Sequence, residues 1–309
     1  MLEEIPQFPE SIFLTNKDFK MKLIKKTALA SLFIFSTLSL SAFDWPQKEI
    51  MSDTFYTYFG QLRGGLTSPS LVFSSSTDIK TSDAGFVTAV ISEQNECSEL
   101  FDSTLGNAVI VVHKDNMMTV YGNLSPEEQE QRFDLTEVET GTDLGTCGNS
   151  GWQEGNALLE FQVVDLKNRA FVNPRILMPR FGNEYNLTIL NVTAVNKKGN
   201  VFDLNAQRKL ASGTYYLYRD RQNPAMPYKT TVLINGAAAD SITYDTLIEK
   251  EGRLSTSGNN SYPASLVYPD TKKHLLACVN IPKGRNRVSI TVTDILGKSK
   301  TLTYTIDAF

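Results

Sequence analysis

Apolar and polar residues alternate most regularly near the end of the chain. Val288, Ile290 and Val292 fall on one face of a predicted strand, and Leu302, Tyr304 and Ile306 on one face of the next, joined through the turn Asp294-Ile295-Leu296-Gly297-Lys298. A period of two places alternate side chains on one side of a pleated sheet. Shorter runs of the same kind stand earlier, at 187–192, 213–218 and 231–234. Turn-forming residues separate them at short intervals, so residues 182–309 are predicted to form a β-sandwich. Between residue 43 and about 180 the chain also reads as short strands, broken by Gly, Asn, Asp and Ser. Only 125–133 has helical character there, with Ser125 as the predicted N-cap, Pro126 in the first turn and Glu127 and Glu128 near the positive helix end. Pro179-Arg180-Phe181-Gly182-Asn183 marks the boundary between two all-β parts, 43–181 and 182–309.

Residues 1–42 carry a different pattern. Lys22, Lys25 and Lys26 precede the apolar run 27–38, and the small residues Ser39, Ser41 and Ala42 follow. A basic start, a short apolar stretch and a small-residue exit predict a secretory signal peptide cleaved near Ala42. The run is shorter than the ~20 residues that span a bilayer as a helix, so no membrane span is expected after cleavage. The acidic lead Glu3, Glu4, Glu10 and Asp18 is foreign to such a signal, and translation is expected to start at Met21. The expected location is the periplasm or the outside of a bacterial cell.

Charge excludes some functions. With 30 basic against 34 acidic residues, the chain has no large positive field for nucleic acid. Three cysteines are too few for a disulfide framework, and their spacing is not that of a zinc site. In an oxidising compartment Cys97 and Cys147 can pair within the first part, leaving Cys278 in an apolar strand. Glycines 145, 148 and 151 have no helix after them, and so predict turns rather than a phosphate-binding loop.

An ordered set of short segments carries more. Tyr58-Phe59-Gly60 and Arg63-Gly64 come first, then Asp83-Ala84-Gly85-Phe86-Val87, Gly106-Asn107-Ala108-Val109 and Met118-Thr119-Val120-Tyr121-Gly122-Asn123-Leu124. Gly141-Thr142-Asp143-Leu144-Gly145, Leu158-Leu159-Glu160-Phe161 and Val172-Asn173-Pro174 complete it. Together they resemble the lysostaphin/LytM family of peptidoglycan endopeptidases. The resemblance implies an antiparallel β fold and a zinc held by a His-x-x-x-Asp pair and the second His of a His-x-His. In this chain the first pair falls on Thr67 and Leu71, or on Leu66 and Ser70 in a register shifted by one. The Tyr-x-His-Leu segment reads Tyr121-Gly122-Asn123-Leu124, and His-x-His-Phe reads Leu158-Leu159-Glu160-Phe161. Leucine offers a zinc nothing, and of the implied ligand positions only Glu160 has a coordinating side chain. The chain has two histidines, His113 and His274; a hydrogen-bonded structural role is expected for the first and a solvated strand start for the second. The expectation is therefore a fold without its catalytic residues, metal or cofactor.

Degenerate domains of the resembled family bind peptidoglycan or regulate cell-wall hydrolases. The resemblance places Arg63, Thr67, Asn123, Trp152 and Glu160 around the former site, as candidates for binding peptidoglycan or such a hydrolase. The segment 283–294 resembles the closing hairpin of immunoglobulin-like domains in bacterial envelope proteins, which implies that topology for residues 182–309. Two alternatives are carried. One is residual hydrolysis by Glu160 with Asp78 or Asp83, since two carboxylates of split pKa can share acid and base roles. The other is a scaffold that binds through Tyr215, Tyr216, Tyr218 and Tyr228 of the sandwich.

Overall fold

The computed structural model describes residues 43–48, 54–75, 77–92, 103–152, 156–180, 182–223 and 225–309. The predicted signal segment, Cys97 and Phe181 lie outside them. Strands dominate throughout, and no helix among the described residues is long and apolar enough to cross a membrane.

In the first part, Glu160–Asp165 is the central strand. It pairs antiparallel with Met117–Gly122 on one side, and with Leu71–Phe73 and Ala170–Val172 on the other. Met117–Gly122 continues through Ala108–His113 to Gly85–Ile91. Leu71, Phe73, Val109, Val111, Tyr121, Phe161 and Val163 point to one side and share a core with Phe43, Phe55 and Tyr58. That alternation is the period-two pattern of a sheet with one buried face. Trp45 closes the core by packing on Phe55 and Phe73 while its indole N–H donates to the Pro179 carbonyl at 2.7 Å.

The second part has two sheets around a core of its own. One sheet contains Lys229–Ile234, Gly284–Thr293 and Ser299–Ala308; the other orders Val201–Asp203, Thr193–Asn196, Gly213–Asp220 and Lys273–Ile281. Val288, Ile290 and Val292 face inward with Tyr304 and Ile306, as their spacing predicts, whereas Leu302 is only partly buried. On the outer face of the same hairpin, Ser289, Thr291 and Thr293 meet Thr303, Thr301 and Ser299 in hydrogen-bonded cross-strand pairs.

One connection could not be read from periodicity. Ala170–Val172 pairs antiparallel with Thr246–Ile248 of the long strand Ala237–Lys250, so a single sheet runs from the first part into the second. A third core cluster holds Tyr218, Tyr244, Tyr262 and Tyr268, with Leu62 packed against it. The Tyr268 hydroxyl donates to the Gly60 carbonyl at 2.7 Å, a further tie across the two parts.

The predicted helix is shorter than expected. It covers only Gln129–Phe133, and its N-cap is Glu128, with no side-chain cap. The Ser125 hydroxyl does accept the Glu127 amide at 3.2 Å, as an N-cap would, but the Gln129 amide bonds the Pro126 carbonyl three residues back, so residues 126–128 form a turn ahead of the helix.

Candidate functional site

Arg63 stands on a hairpin of Leu62–Arg63 with Leu66–Thr67. Its two-residue turn is Gly64-Gly65, with φ of 57° and 81°. Positive φ at both central positions is what the tight hairpin turn matching strand twist requires, and glycine meets it without strain. A Cβ on Gly64 would come within 2.8 Å of the Trp152 ring, so this hairpin is close against the indole.

Glu160 opens the central strand, opposite Val72 on one neighbour and Gly122 on the other. Its carboxylate meets the Arg63 guanidinium at 2.9 Å and accepts the Ser70 hydroxyl at 2.5 Å. Gln162 donates in turn to Ser70 Oγ at 2.9 Å. Glu160 is 5% exposed and Arg63 19%, so the carboxylate lies inside while the guanidinium reaches the surface. The contact of Ser70 with Glu160 favours the register that pairs Leu66 with Ser70 over the one that pairs Thr67 with Leu71. Leu66 is exposed and Leu71 is in the core.

Arg63 also lies over the Trp152 ring, 5.3 Å from its centroid, in a cation–π arrangement. Trp152 remains 51% exposed. A cleft of about 310 Å³ adjoins these groups, lined by Tyr56, Thr57, Gln61, Leu62, Arg63, Gly64, Trp152, Arg221 and Asn223. Three of the five candidates, Arg63, Trp152 and Glu160, are therefore brought together. No local pattern marks Arg221, which reaches this cleft from the second part of the chain.

The other two candidates are placed differently. Asn123 is fully buried, so it is not a side chain on offer to a ligand. Its amide donates to the carbonyls of Asn156 (3.1 Å) and Leu158 (2.8 Å), and its oxygen accepts the amides of Ser150 (3.0 Å) and Gly151 (2.8 Å). Two donors and two lone pairs are the whole capacity of an asparagine side chain. It fastens both flanks of the loop that carries Trp152, which makes it a positioning residue. Its φ of 62° is one that asparagine adopts more readily than most residues. Gly148, one of the predicted turn glycines, lets the same loop approach, since a Cβ there would meet the Leu124 carbonyl at 2.4 Å. Thr67 is buried and lines a separate cleft with Leu66, Arg253 and Pro263.

Both histidines are internal. His113 has Nδ1 2.9 Å from the Ala84 carbonyl and Nε2 2.7 Å from Thr119 Oγ1, with Phe43 edge-on. His274 is not solvated, against expectation: it is buried, stacked on Tyr268 at 5.0 Å, and its Nε2 is 2.7 Å from the Tyr244 hydroxyl. Strand pairing with Gly213–Asp220 draws it inward beside Arg219, whose guanidinium donates to Nδ1 at 3.5 Å. Burial first, and the Arg219 charge second, hold its pKa well below the usual histidine range.

Asp83 is spent on the Ala84 amide and the Thr140 hydroxyl, and Asp78 is exposed. Neither carboxylate forms a pair with Glu160 among the described residues. Tyr215 and Tyr218 are buried, their hydroxyls donating to the carbonyls of Ala211 and Leu266, so neither is an interface aromatic. Tyr216 and Tyr228 are half-buried. Cys147 is buried. Among the described residues no group of three or more His, Cys, Asp or Glu is arranged to hold a metal ion.

Comparison with known proteins fits this geometry. Residues 70–174 match the model of peptidase family M23, and a second model, which carries no description, matches residues 186–309. An uncharacterized protein of Treponema pallidum (strain Nichols) is 32% identical over 130 residues, which cover 39% of this chain and 85% of that protein. Residues 70–174 are therefore a peptidase family M23 domain, and a further β domain follows.

Proposed function

We propose that the M23 domain of this chain is a non-catalytic binding module of a bacterial envelope protein, one that binds peptidoglycan or regulates a cell-wall hydrolase. The observation that carries this reading is the Arg63–Glu160–Ser70 network. Glu160 stands at the position of a family metal ligand, and the cation it meets is a guanidinium. A zinc of this family needs three protein ligands and an open fourth position. Leu66, Ser70 and Glu160 do not supply that donor set, so no hydrolytic step is derived through a metal. The neighbouring cleft keeps its concavity, its exposed indole and its charge, which suit recognition.

The predicted signal segment supports export, with the mature chain starting near Phe43, and the second domain is read as an immunoglobulin-like appendage beginning near residue 182. The exported chain should sediment with purified peptidoglycan or retain a cell-wall hydrolase in a pull-down, and should leave peptidoglycan uncut. Release of soluble peptidoglycan fragments by the purified chain would overturn the reading.

A further inference from the structure

Among its described lining residues the cleft beside Trp152 has two guanidiniums and no acidic side chain. Their situations differ. Arg63 already neutralises Glu160 and has donors left over after one N–H is used there. Among the described residues Arg221 makes no salt bridge and no side-chain hydrogen bond, and none of the described residues lining the cleft carries a counter-charge. Glu160 cannot provide one, since it is committed to Arg63 and Ser70. We propose that this cleft is a recognition site for a peptide carboxylate, with Arg221 as the residue that takes the anion. The proposal rests on the reading of the M23 domain as a binding module and gives that module a ligand chemistry.

The chemistry of the lining, the net charge and the size of the cleft favour a peptide carboxylate over other anions. An arginine fork matches the two oxygens of a carboxylate with two parallel N–H bonds. The walls are flat and amphipathic, with Trp152 51% and Tyr56 53% exposed, so they suit an apolar side chain or peptide plane next to the charge. Asn223 adds an exposed amide that can donate to and accept from a peptide group. A long polyanion is disfavoured by the chain itself, whose formal net charge is −4. At about 310 Å³ the cleft is at the small end of the ~300–1,000 Å³ usual for small-ligand sites, which fits the end of a peptide.

Neither arginine lies within residues 70–174, the segment that matches the family model. Arg63 precedes it, and Arg221 comes from the second domain, just after the strand Gly213–Asp220. Recognition here requires both domains at once. They are held in place by the bond from Tyr268 to the Gly60 carbonyl and by the Tyr244 ring, which a Cβ on Gly60 would meet at 2.7 Å. The specificity so built belongs to this arrangement of domains.

The chain contains two tryptophans, and the indole N–H of Trp45 is bonded to Pro179, so a ¹⁵N-labelled sample gives two indole signals with distinct surroundings. Titration with acetyl-Ala-Ala bearing a free carboxylate should shift the Trp152 signal and leave that of Trp45 in place. The C-terminal amide of the same dipeptide should bind at least tenfold more weakly. Arg221→Gln should weaken the acid by about tenfold while the melting temperature stays at the parent value, and Arg221→Lys should fall between. Equal binding of acid and amide, an Arg221→Gln variant that binds like the parent, or displacement by inorganic phosphate at lower concentration than by acetate would overturn the proposal. No shift with any of these probes would overturn it too. Envelope binding that survives Arg221→Gln with no carboxylate preference sinks this inference and leaves the binding-module reading standing, whereas peptidoglycan cleavage by the parent removes that reading itself.

Discussion

Two of the arginine centres among the described residues, those of Arg63 and Arg219, handle charge in opposite ways. Arg63 pairs with a buried carboxylate, stacks on Trp152 and opens onto a cleft. Arg219 is fully buried, donates to the Thr188 carbonyl and to His274, and has no carboxylate partner; its Nε meets no acceptor among the described residues. An uncompensated buried charge is expensive, and its surroundings must therefore stay neutral or electron-rich. That is what His274, Tyr244 and Tyr268 provide. Burial pushes Tyr244 well above the usual tyrosine pKa, and holds His274 neutral. The sealed centre therefore exposes nothing to a ligand, while the open one keeps unused donors and an exposed ring. Of the two, only the open centre is built to exchange partners with the outside.

The largest expected effect concerns the loop that frames the open centre. Asn123→Ala removes four hydrogen bonds, one to the buried Leu158 carbonyl, one to the exposed Asn156 carbonyl and two from the half-buried Ser150 and Gly151 amides, at about 1–3 kcal/mol for each group left unsatisfied, and places alanine at a left-handed φ. Chemical denaturation should show a loss of at least about 3 kcal/mol. A variant as stable as the parent would mean that Asn123 does not build the open centre. Removing one half of the ion pair should cost less, because Arg63 can turn toward solvent. Glu160→Gln is expected to lose about 2 kcal/mol, below the ~3–5 typical of a wholly buried pair, and Arg63→Met with Glu160→Leu should recover most of that loss. If the double variant is worse than the single one, the pair is more than a mutual neutralisation.

The sealed centre should reveal itself through pH. The folded pKa of His274 is depressed, so below the unfolded value near 6.5 the unfolded chain binds a proton that the folded chain refuses. Stability then falls as pH drops from 7 to 5, by at most about 1.4 kcal/mol per pH unit. The Asp220 carboxyl, held below the usual carboxylate range chiefly by its bond to Lys273, stays outside that window. His274→Gln should flatten the slope of melting temperature against pH between 7 and 5; an unchanged slope would place the titration elsewhere. The smallest stability effect is expected for Arg221→Gln, within about 0.5 kcal/mol, since no folded-state bond is lost. A larger drop would show that Arg221 helps hold the two domains together.

The fold was legible where the sequence repeats a local rule. Val288, Ile290 and Val292 announce a strand by spacing alone, and the segments from Tyr58 to Pro174 identify the first domain by their order. The open centre was half legible: the resemblance pointed to Arg63, Trp152 and Glu160, which the structure places next to one another. Arg221 was not, because its place in the cleft depends on the sheet that continues from Ala170–Val172 into Thr246–Ile248, a long-range pairing with no local signature. Asn123 reads on paper as a polar residue at a lost chemical position. Only the positions of Ser150, Gly151, Asn156 and Leu158 reveal that its hydrogen bonds are already spent. His274 misled for a related reason: the lysines before it suggest solvent, but strand pairing with Gly213–Asp220 buries it.

The most direct test of a guanidinium in place of a metal is the zinc content of the purified chain from residue 43 onward, measured by native mass spectrometry after equilibration with a slight excess of zinc and removal of the unbound metal. Well under one-tenth of an equivalent is predicted, together with a melting temperature insensitive to chelator. Near-equimolar zinc, lost on chelation along with stability, would contradict the account.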